Sequence, residues 1–268
     1  MRHSTRRKKK LVAQGSGKNS VTLYYQKIPA EQFIALPIEQ RYCLLLMGHI
    51  HHELNWIQRM AFVATREAKF RHEAQRQAQM MQSLMLARLF FGKLFEFSKL
   101  LSPQNSLLRQ FITKNYRPGD EQSGSTRVAE LLEQFNTEKW IRMGRNKHFM
   151  HYPELNDVRA TLEDLAIRWD LEIYHGSRST NTLYPTSDVF ANYAWFRLVN
   201  SEAPMTGLGE ALDTLTTISR LELSTLEESI GYFVDGNLMP LNQNERVNLK
   251  VTNSKENTLT YFHTHKKV

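Results

Sequence analysis

Residues 38–68 read IEQRYCLLLMGHIHHELNWIQRMAFVATREA, and this stretch decides the fold. Its apolar side chains are separated by three or four positions, which is the period of an α-helix. The residues that this spacing would place on a buried helix are Tyr42, Leu45, Leu46, His49, Leu54, Trp56, Ile57 and Met60. We therefore expect a long buried helix from about residue 37 to residue 68.

A second long helical pattern follows at about residues 73–101, where Ser102 and Pro103 end it. Its apolar face is rich in methionine and leucine, which is more typical of a packed core than of a ligand site. The side chains expected in the core are Met81, Leu84 and Met85.

A third long helix is expected after the loop at residues 116–125. Ser125 or Thr126 can cap its first turn, because a hydroxyl accepts hydrogen bonds from the free N–H groups there. The helix should end near Tyr152, since the residue before Pro153 is pushed away from helical angles. The three long helices, at about 37–68, 73–101 and 126–150, should pack together.

The character of the sequence divides the chain into three parts. Residues 1–20 form a basic tail, residues 21–170 a helical bundle and residues 171–268 a mixed extension. Stretches typical of strands are VTLYYQKI, residues 21–28, and RVNLKVT, residues 246–252. The expected fold class is mainly α, a helical bundle with a mixed α/β C-terminal extension.

Composition excludes several classes of protein. Cys43 is the only cysteine, which excludes a disulfide framework or a cysteine-based zinc site within one chain. No glycine lies in a Walker or dinucleotide-binding pattern. No apolar run is long enough for a bilayer and no secretory leader is evident, so we expect a cytoplasmic protein that does not associate with a membrane.

Positive charge is concentrated at the start of the chain. The formal net charge is +8, and five of the basic residues are Arg6, Arg7, Lys8, Lys9 and Lys10. Such a tail can neutralise phosphates and release counterions, which makes RNA the natural partner. A solvated tail that only aids solubility is the alternative.

Histidines are densest at HIHHE, residues 49–53. On a helix His49, His52 and Glu53 share one face and could converge on a metal ion. We favour a polar helix face instead, and predict no metal, because no matching Glu-x-x-His pair is present on another helix.

The stretch at residues 145–152 reads RNKHFMHY. Arg145 and His151 are separated by five residues, Asn146 follows the arginine and Tyr152 follows the histidine. Three other Arg–His pairs in the chain have four to six intervening residues. Only this pair has the adjacent Asn and Tyr and a place at the end of a late bundle helix.

This motif resembles the signature of the HEPN superfamily, small helical domains in which Asn often follows the Arg and Tyr lies close to the His. The resemblance covers about residues 37–170 as architecture and eight residues as motif. It implies an HEPN-like bundle that cleaves RNA without a metal or other cofactor, by attack of the 2′-hydroxyl on the adjacent phosphate. It further implies a homodimer acting in phage defence or as a toxin, with an antitoxin or sensor protein as a second partner.

The resemblance also assigns roles to residues. His151 would transfer a proton near neutral pH, and Arg145 would stabilise the pentavalent phosphorane. Asn146 would orient the substrate or the arginine. His148 and Tyr152 complete the candidate catalytic set, and Lys147 joins the tail as an RNA-binding residue.

Two alternatives stay open at this point. Arg142 and His148 have the same spacing, so the motif has two registers. Arg and His near a helix C-terminus also interact favourably with the helix dipole without any catalysis. The alternative function to an endoribonuclease is that of a noncatalytic HEPN-like module that binds RNA or a partner protein.

Overall fold

The computed structural model describes residues 20–65, 70–118, 123–149, 154–168, 170–177, 181–238 and 245–250. His151, Tyr152, the basic residues of the tail and residues 251–268 lie outside these ranges. The fold is mainly α, with one small sheet. Its elements are β1 (Ser20–Tyr25), α1 (Ala30–Ile34), α2 (Ile38–Ala64), α3 (Glu73–Leu101), α4 (Leu107–Asn115), α5 (Ser123–Thr137), α6 (Lys139–Gly144), a π-helix (Arg145–Phe149), α7 (Leu155–Arg168), α8 (Pro185–Val199), α9 (Pro204–Asn237) and β2 (Glu245–Lys250).

The two longest helices of the first half begin and end close to the predicted positions. Helix α3 begins after His72, whose Nδ1 accepts a hydrogen bond of 3.1 Å from the N–H of Ala74. It ends at Leu101, next to the predicted break at Ser102. Helix α2 begins after Pro37, which donates no backbone hydrogen bond, and ends at Ala64. No described helix is long and apolar enough to cross a membrane.

The third long helix is not continuous, and the prediction of one helix over residues 126–150 is wrong. Helix α5 ends at Thr137 and α6 begins at Lys139, with Glu138 between them outside helical geometry. The Nε1 of Trp140 donates a hydrogen bond of 2.6 Å to the Glu138 carboxylate. The break turns the indole of Trp140 into the core, where it is buried.

The hydrophobic core continues across residue 170, where the sequence predicted the start of an extension. Helix α9 packs against α2, α4 and α5 as well as against α8. Trp195 of α8 and Ile218 of α9 are fully buried in the same cluster as Met47 of α2 and Phe91 of α3. Helices from both parts of the chain therefore share one core.

The burial of individual side chains differs from the prediction on two helices. Met81 and Leu84 are buried as expected, but Met85 is 69% exposed, because it follows Leu84 directly and so points away from that face. On α2, Leu54 and Ile57 are buried. The α2 residues that were predicted to be buried but are exposed are Tyr42, Leu45, His49 and Trp56. Helix α2 is apolar on two faces, and the described residues cover only one of them.

The two strands pair antiparallel, from Ser20 opposite Lys250 to Tyr25 opposite Glu245. The hydroxyl of Thr22 donates a hydrogen bond of 2.8 Å to the side chain of Asn248. The pairing joins residues near both ends of the sequence in one small sheet.

Helix α9 carries a carboxyl group into the core. Glu222 is 0% exposed, and among the described residues neither of its carboxylate oxygens has a hydrogen-bond partner. Burial without a compensating cation disfavours the charged form and raises the pKa of Glu222 well above its ordinary value. The folded chain therefore holds this side chain as a neutral acid at mildly acidic pH.

We predict that Glu222→Gln changes how stability depends on pH. Between the ordinary carboxyl pKa and the raised one, the folded chain keeps the proton that the unfolded chain has released. The free energy of unfolding of the native chain should therefore fall as pH rises through that window, by up to about 1.4 kcal/mol per pH unit. The glutamine of Glu222→Gln is neutral at every pH. The free energy of unfolding of this variant should equal that of the native chain near pH 4 and exceed it at pH 7.

Urea denaturation at several pH values measures this difference. Glu227→Gln is the control, because Glu227 lies on the same helix with its side chain in solvent. If the free energy of unfolding depends on pH in the same way for the native chain and for Glu222→Gln, the prediction is wrong.

Candidate functional site

The RNKHFMHY motif begins where the α-helix changes its hydrogen bonding. Helix α6 ends at Gly144, and Arg145–Phe149 form a π-helix, in which each turn holds one residue more than an α-helical turn. Such π-turns are rare and often lie at functional sites. The first five residues of the motif therefore present their side chains at angles that a regular α-helix would not give.

Packing between Gly144 and Phe149 accounts for the π-helix. A Cβ on Gly144 would lie 2.5 Å from Cζ of Phe149, so the phenyl ring occupies the space that a side chain at position 144 would need. The ring stacks on Phe91 at a centroid distance of 5.5 Å and meets Trp195 edge-on at 5.4 Å. These contacts bring residue 149 beneath residue 144, which is the i to i+5 relation of a π-turn.

Arg145 is held by two side chains. Its Nε and Nη2 donate hydrogen bonds of 2.9 and 2.7 Å to Oε1 of Glu96 on α3. Its Nη1 donates to Oδ1 of Asn146 at 3.2 Å. The guanidinium also lies over the ring of Phe95, 6.0 Å from its centroid, and the arginine side chain is 24% exposed. Arg145 is thus fixed in orientation at the edge of solvent.

Further charged side chains lie on α2 and α3 near Glu96, the partner of Arg145. Lys99 lies 3.5 Å from the Glu96 carboxylate, and Lys93 forms an ion pair of 2.6 Å with Glu53 of α2. Between α2 and α3, Glu53, Lys93 and Glu96 line a groove of about 160 Å³. The cluster holds three cations and two carboxylates, so it keeps positive charge available for an anion.

The carboxyl group of Glu96 remains ionised. Burial alone would raise its pKa, but the hydrogen bonds and charge of Arg145, followed by the charge of Lys99, outweigh that effect and lower the pKa. The negative charge on Glu96 is what orients the guanidinium.

Glu96 and its neighbours are absent from the residues that the sequence singled out. Glu96 is 49 positions from Arg145, and nothing in the motif points to it. The available signal was the spacing of Lys93, Glu96 and Lys99, every third residue in a stretch rich in phenylalanine. Charges at helical spacing in an apolar helix predict a polar stripe, although not its partner.

His148 lies apart from the Arg145 cluster. Its side chain is 2% exposed, and its backbone carbonyl accepts a hydrogen bond from Nη2 of Arg88. Arg142 is exposed. The Arg142–His148 register therefore does not place both side chains on one accessible surface.

The described residues include only part of the predicted site. Arg145 and Asn146 are hydrogen-bonded to one another, and Lys147 is exposed beside them. His148 is buried. His151 and Tyr152 lie outside the described residues, as do Arg6, Arg7, Lys8, Lys9 and Lys10.

The histidines of α2 do not form a metal site with their neighbours. Glu53 is paired with Lys93, and the ring of His52 packs edge-on against Trp56 at a centroid distance of 6.1 Å. Within the described parts of the chain, no three His, Cys, Asp or Glu side chains are grouped so that they could hold a metal ion.

A larger cavity, of about 300 Å³, lies where the end of α2 and the start of α3 meet the start of α9. Its lining is mostly apolar, with Met80, Leu84 and Leu208 among the residues. Arg76 lies at its edge, and the guanidinium is paired with Glu73 in the adjacent turn. Its polar lining residues, Thr65, Gln79 and Ser83, carry no charge.

The chain matches no protein-family model, and it matches neither a curated protein nor a solved structure.

We predict that Gly144→Ala destabilises the chain by about 1–3 kcal/mol, the usual cost of overpacking a core. The new methyl group would displace the Phe149 ring, and Phe91 and Trp195 leave that ring little room to move. Guanidinium denaturation gives the free energy of unfolding, and near-UV circular dichroism reports the tryptophan environment.

Gly209→Ala is the matched control, because a Cβ there meets nothing within 4 Å. It should stabilise the chain by roughly 0.5–1 kcal/mol, since alanine loses less backbone entropy than glycine in a helix. Equal stability of the two variants would contradict the role assigned to Gly144.

Proposed function

We propose that the chain is a metal-independent endoribonuclease of HEPN type that acts in phage defence or as a toxin. The observation that carries this proposal is Arg145, an oriented and partly exposed guanidinium at a π-turn, which shares the Glu96 carboxylate with Lys99. The resemblance of RNKHFMHY to the HEPN signature supplies the reaction class.

Arg145 retains the means to bind a phosphate. A guanidinium has five N–H groups, and the bonds to Glu96 and Asn146 use three of them. Among the described residues nothing accepts from the other two N–H groups, which can donate to phosphate oxygens with the guanidinium plane already fixed. Groups oriented before the substrate arrives stabilise developing charge without further reorganisation, so Arg145 suits a phosphorane transition state.

The proposed reaction is a transesterification that releases the 5′-hydroxyl of the following nucleoside. The 2′-oxygen attacks phosphorus as the bond from phosphorus to the 5′-oxygen breaks, which leaves a 2′,3′-cyclic phosphate. One proton leaves the 2′-hydroxyl and one reaches the leaving 5′-oxygen, and His151 carries out one of these two transfers. Glu96 and Asn146 act as positioning residues through Arg145.

Helix geometry bears on how Arg145 and His151 cooperate. Along a regular α-helix six residues turn the chain through about 600°, which places the second side chain roughly 240° from the first. The α-helix ends at Gly144, so this relation does not hold across the motif. We propose that the active form is a homodimer in which two motifs act on one RNA, with an antitoxin or sensor protein as a further partner.

A second function, a noncatalytic RNA-binding or protein-binding module, is favoured by the ion pair itself. Glu96 neutralises much of the charge of Arg145, as it would in a purely structural contact. In this case RNA would bind through the basic tail, weaken as salt is raised, and remain uncut.

We predict that Arg145→Ala and His151→Ala each lower RNA cleavage by about 10²–10⁴-fold in buffer containing EDTA. Arg145→Lys should recover little of the cleavage rate, since lysine keeps the positive charge but lacks the planar guanidinium that binds two phosphate oxygens. Arg142→Ala, at an exposed position of the other register, should leave cleavage unchanged. Rates would be measured on a mixed RNA pool, with the product ends identified by mass spectrometry.

Thermal unfolding of each variant shows whether a lower cleavage rate reflects the missing catalytic group or a less stable fold. A His151→Ala variant that still cleaves RNA at the native rate would contradict the ribonuclease proposal. RNA binding that is salt-sensitive, needs residues 1–10 and produces no cleavage would establish the noncatalytic module instead.

A further inference from the structure

Arg88 of α3 binds the π-helix at the end opposite to Arg145. Its Nη2 donates a hydrogen bond to the backbone carbonyl of His148, in a contact that is partly buried. Glu96, on the same helix as Arg88, binds the side chain of Arg145 at the start of the π-helix. Helix α3 therefore holds the π-helix near both of its ends.

The sequence explains why the carbonyl of His148 takes a donor from another helix. In a π-helix the carbonyl of residue i accepts a hydrogen bond from the N–H of residue i+5. For His148 that residue is Pro153, which has no N–H group. The guanidinium of Arg88 supplies the donor that the π-helical pattern lacks at this position. A partly buried carbonyl without a donor would destabilise the backbone that carries it.

Arg88 also interacts with Asp188 of α8. Burial raises the pKa of Asp188, and the positive charge of Arg88 opposes that rise, so the two side chains lie close enough to interact. Helix α8 supplies Trp195 as well, whose ring meets Phe149 edge-on. The π-helix is thus held by α3 and α8 together, through the Arg88 guanidinium and through the aromatic packing of Phe149.

We propose that Arg88 is a positioning residue of the cleavage site, which orients Arg145 by binding the carbonyl of His148. The inference rests on the proposed function for its effect on RNA cleavage. It rests on the Arg88–His148 hydrogen bond for its effect on the backbone, and this second effect is measurable without RNA.

The link from Arg88 to Arg145 runs through the shape of the π-helix. Without the bond to His148, the segment can relax toward α-helical hydrogen bonding, which has fewer residues per turn. Phe149 is held in the core by Phe91 and Trp195, so the change in winding would rotate Arg145 instead. Misplacing a catalytic group by about 1 Å can lower the rate by roughly 100-fold.

Arg109 offers a matched comparison. Like Arg88 it is partly buried and uses its guanidinium to bind backbone carbonyls. Its Nη1 donates to the carbonyls of Leu101 and Ser102, at 3.5 and 3.3 Å. Those carbonyls belong to the end of α3 and not to the π-helix, so the loss of Arg109 should cost stability without reorienting Arg145.

Arg88→Met tests the inference, because methionine keeps an apolar stem but has no N–H donor. Amide hydrogens of residues 145–149 should exchange with solvent at least about 10-fold faster in this variant, since the local structure opens more readily. The kcat for RNA cleavage should fall by roughly 10–100-fold while KM stays within about twofold, the pattern of an interaction made in the transition state. Exchange would be followed by mass spectrometry on the full chain without RNA, and cleavage in buffer containing EDTA.

Two further variants distinguish positioning from stability alone. Arg88→Lys should recover most of the native exchange and most of the native kcat, because one carbonyl oxygen needs one donor and an ammonium group has three. Arg109→Met should lower the melting temperature, yet leave both kcat and exchange at residues 145–149 unchanged. If Arg88→Met does not fold, Arg88→Met combined with Asp188→Asn takes its place, because the second change removes the carboxylate left without its cation.

Native exchange at residues 145–149 in Arg88→Met would overturn the inference. Equal losses of kcat in Arg88→Met and Arg109→Met, or in Arg88→Met and Arg88→Lys, would also overturn it. The proposed function fails separately. A native chain that cleaves no RNA, while Arg88→Met still speeds exchange at the π-helix, would remove the ribonuclease and leave only the effect of Arg88 on the backbone.

Discussion

Packing of the Phe149 ring against Gly144 is the contact on which the Arg145 site depends. The ring fills the place of a Cβ and is itself held by Phe91 and Trp195, so the backbone between residues 144 and 149 follows a π-turn. That turn directs Arg145 toward Glu96 on α3 while Phe149 points into the core. The orientation of a surface arginine is thus set by a buried aromatic cluster.

The same cluster links parts of the chain that are far apart in sequence. Phe91 comes from α3, Trp140 from α6 and Trp195 from α8, and their rings are in mutual contact. Helix α9 completes the core beside them, with Phe233 against Phe111 of α4. The site therefore rests on the whole bundle, and residues after 170 are as necessary to it as those before.

The sequence predicted the helices better than it predicted which way they face. Periodicity and end signals located α2 and α3, because those depend on neighbouring residues. The break at Glu138 was missed, since it depends on where the Trp140 indole is buried. The exposed face of α2 was missed for a different reason, namely that two apolar faces on one helix do not reveal which of them the chain covers. The Glu96–Arg145 pair joins two helices, and its only local signal, the polar stripe of Lys93, Glu96 and Lys99, does not identify the partner.

Pairing of β1 with β2 has a consequence for the order of folding. The two strands are brought together from about 226 residues apart along the chain, as the contact between Thr22 and Asn248 records. Closing so long a loop is entropically costly until the intervening helices have compacted it. Contacts of this kind form late, and a two-stranded ribbon with little buried surface is among the first elements to open. We expect amide hydrogens of this sheet to exchange with solvent well before those of α3.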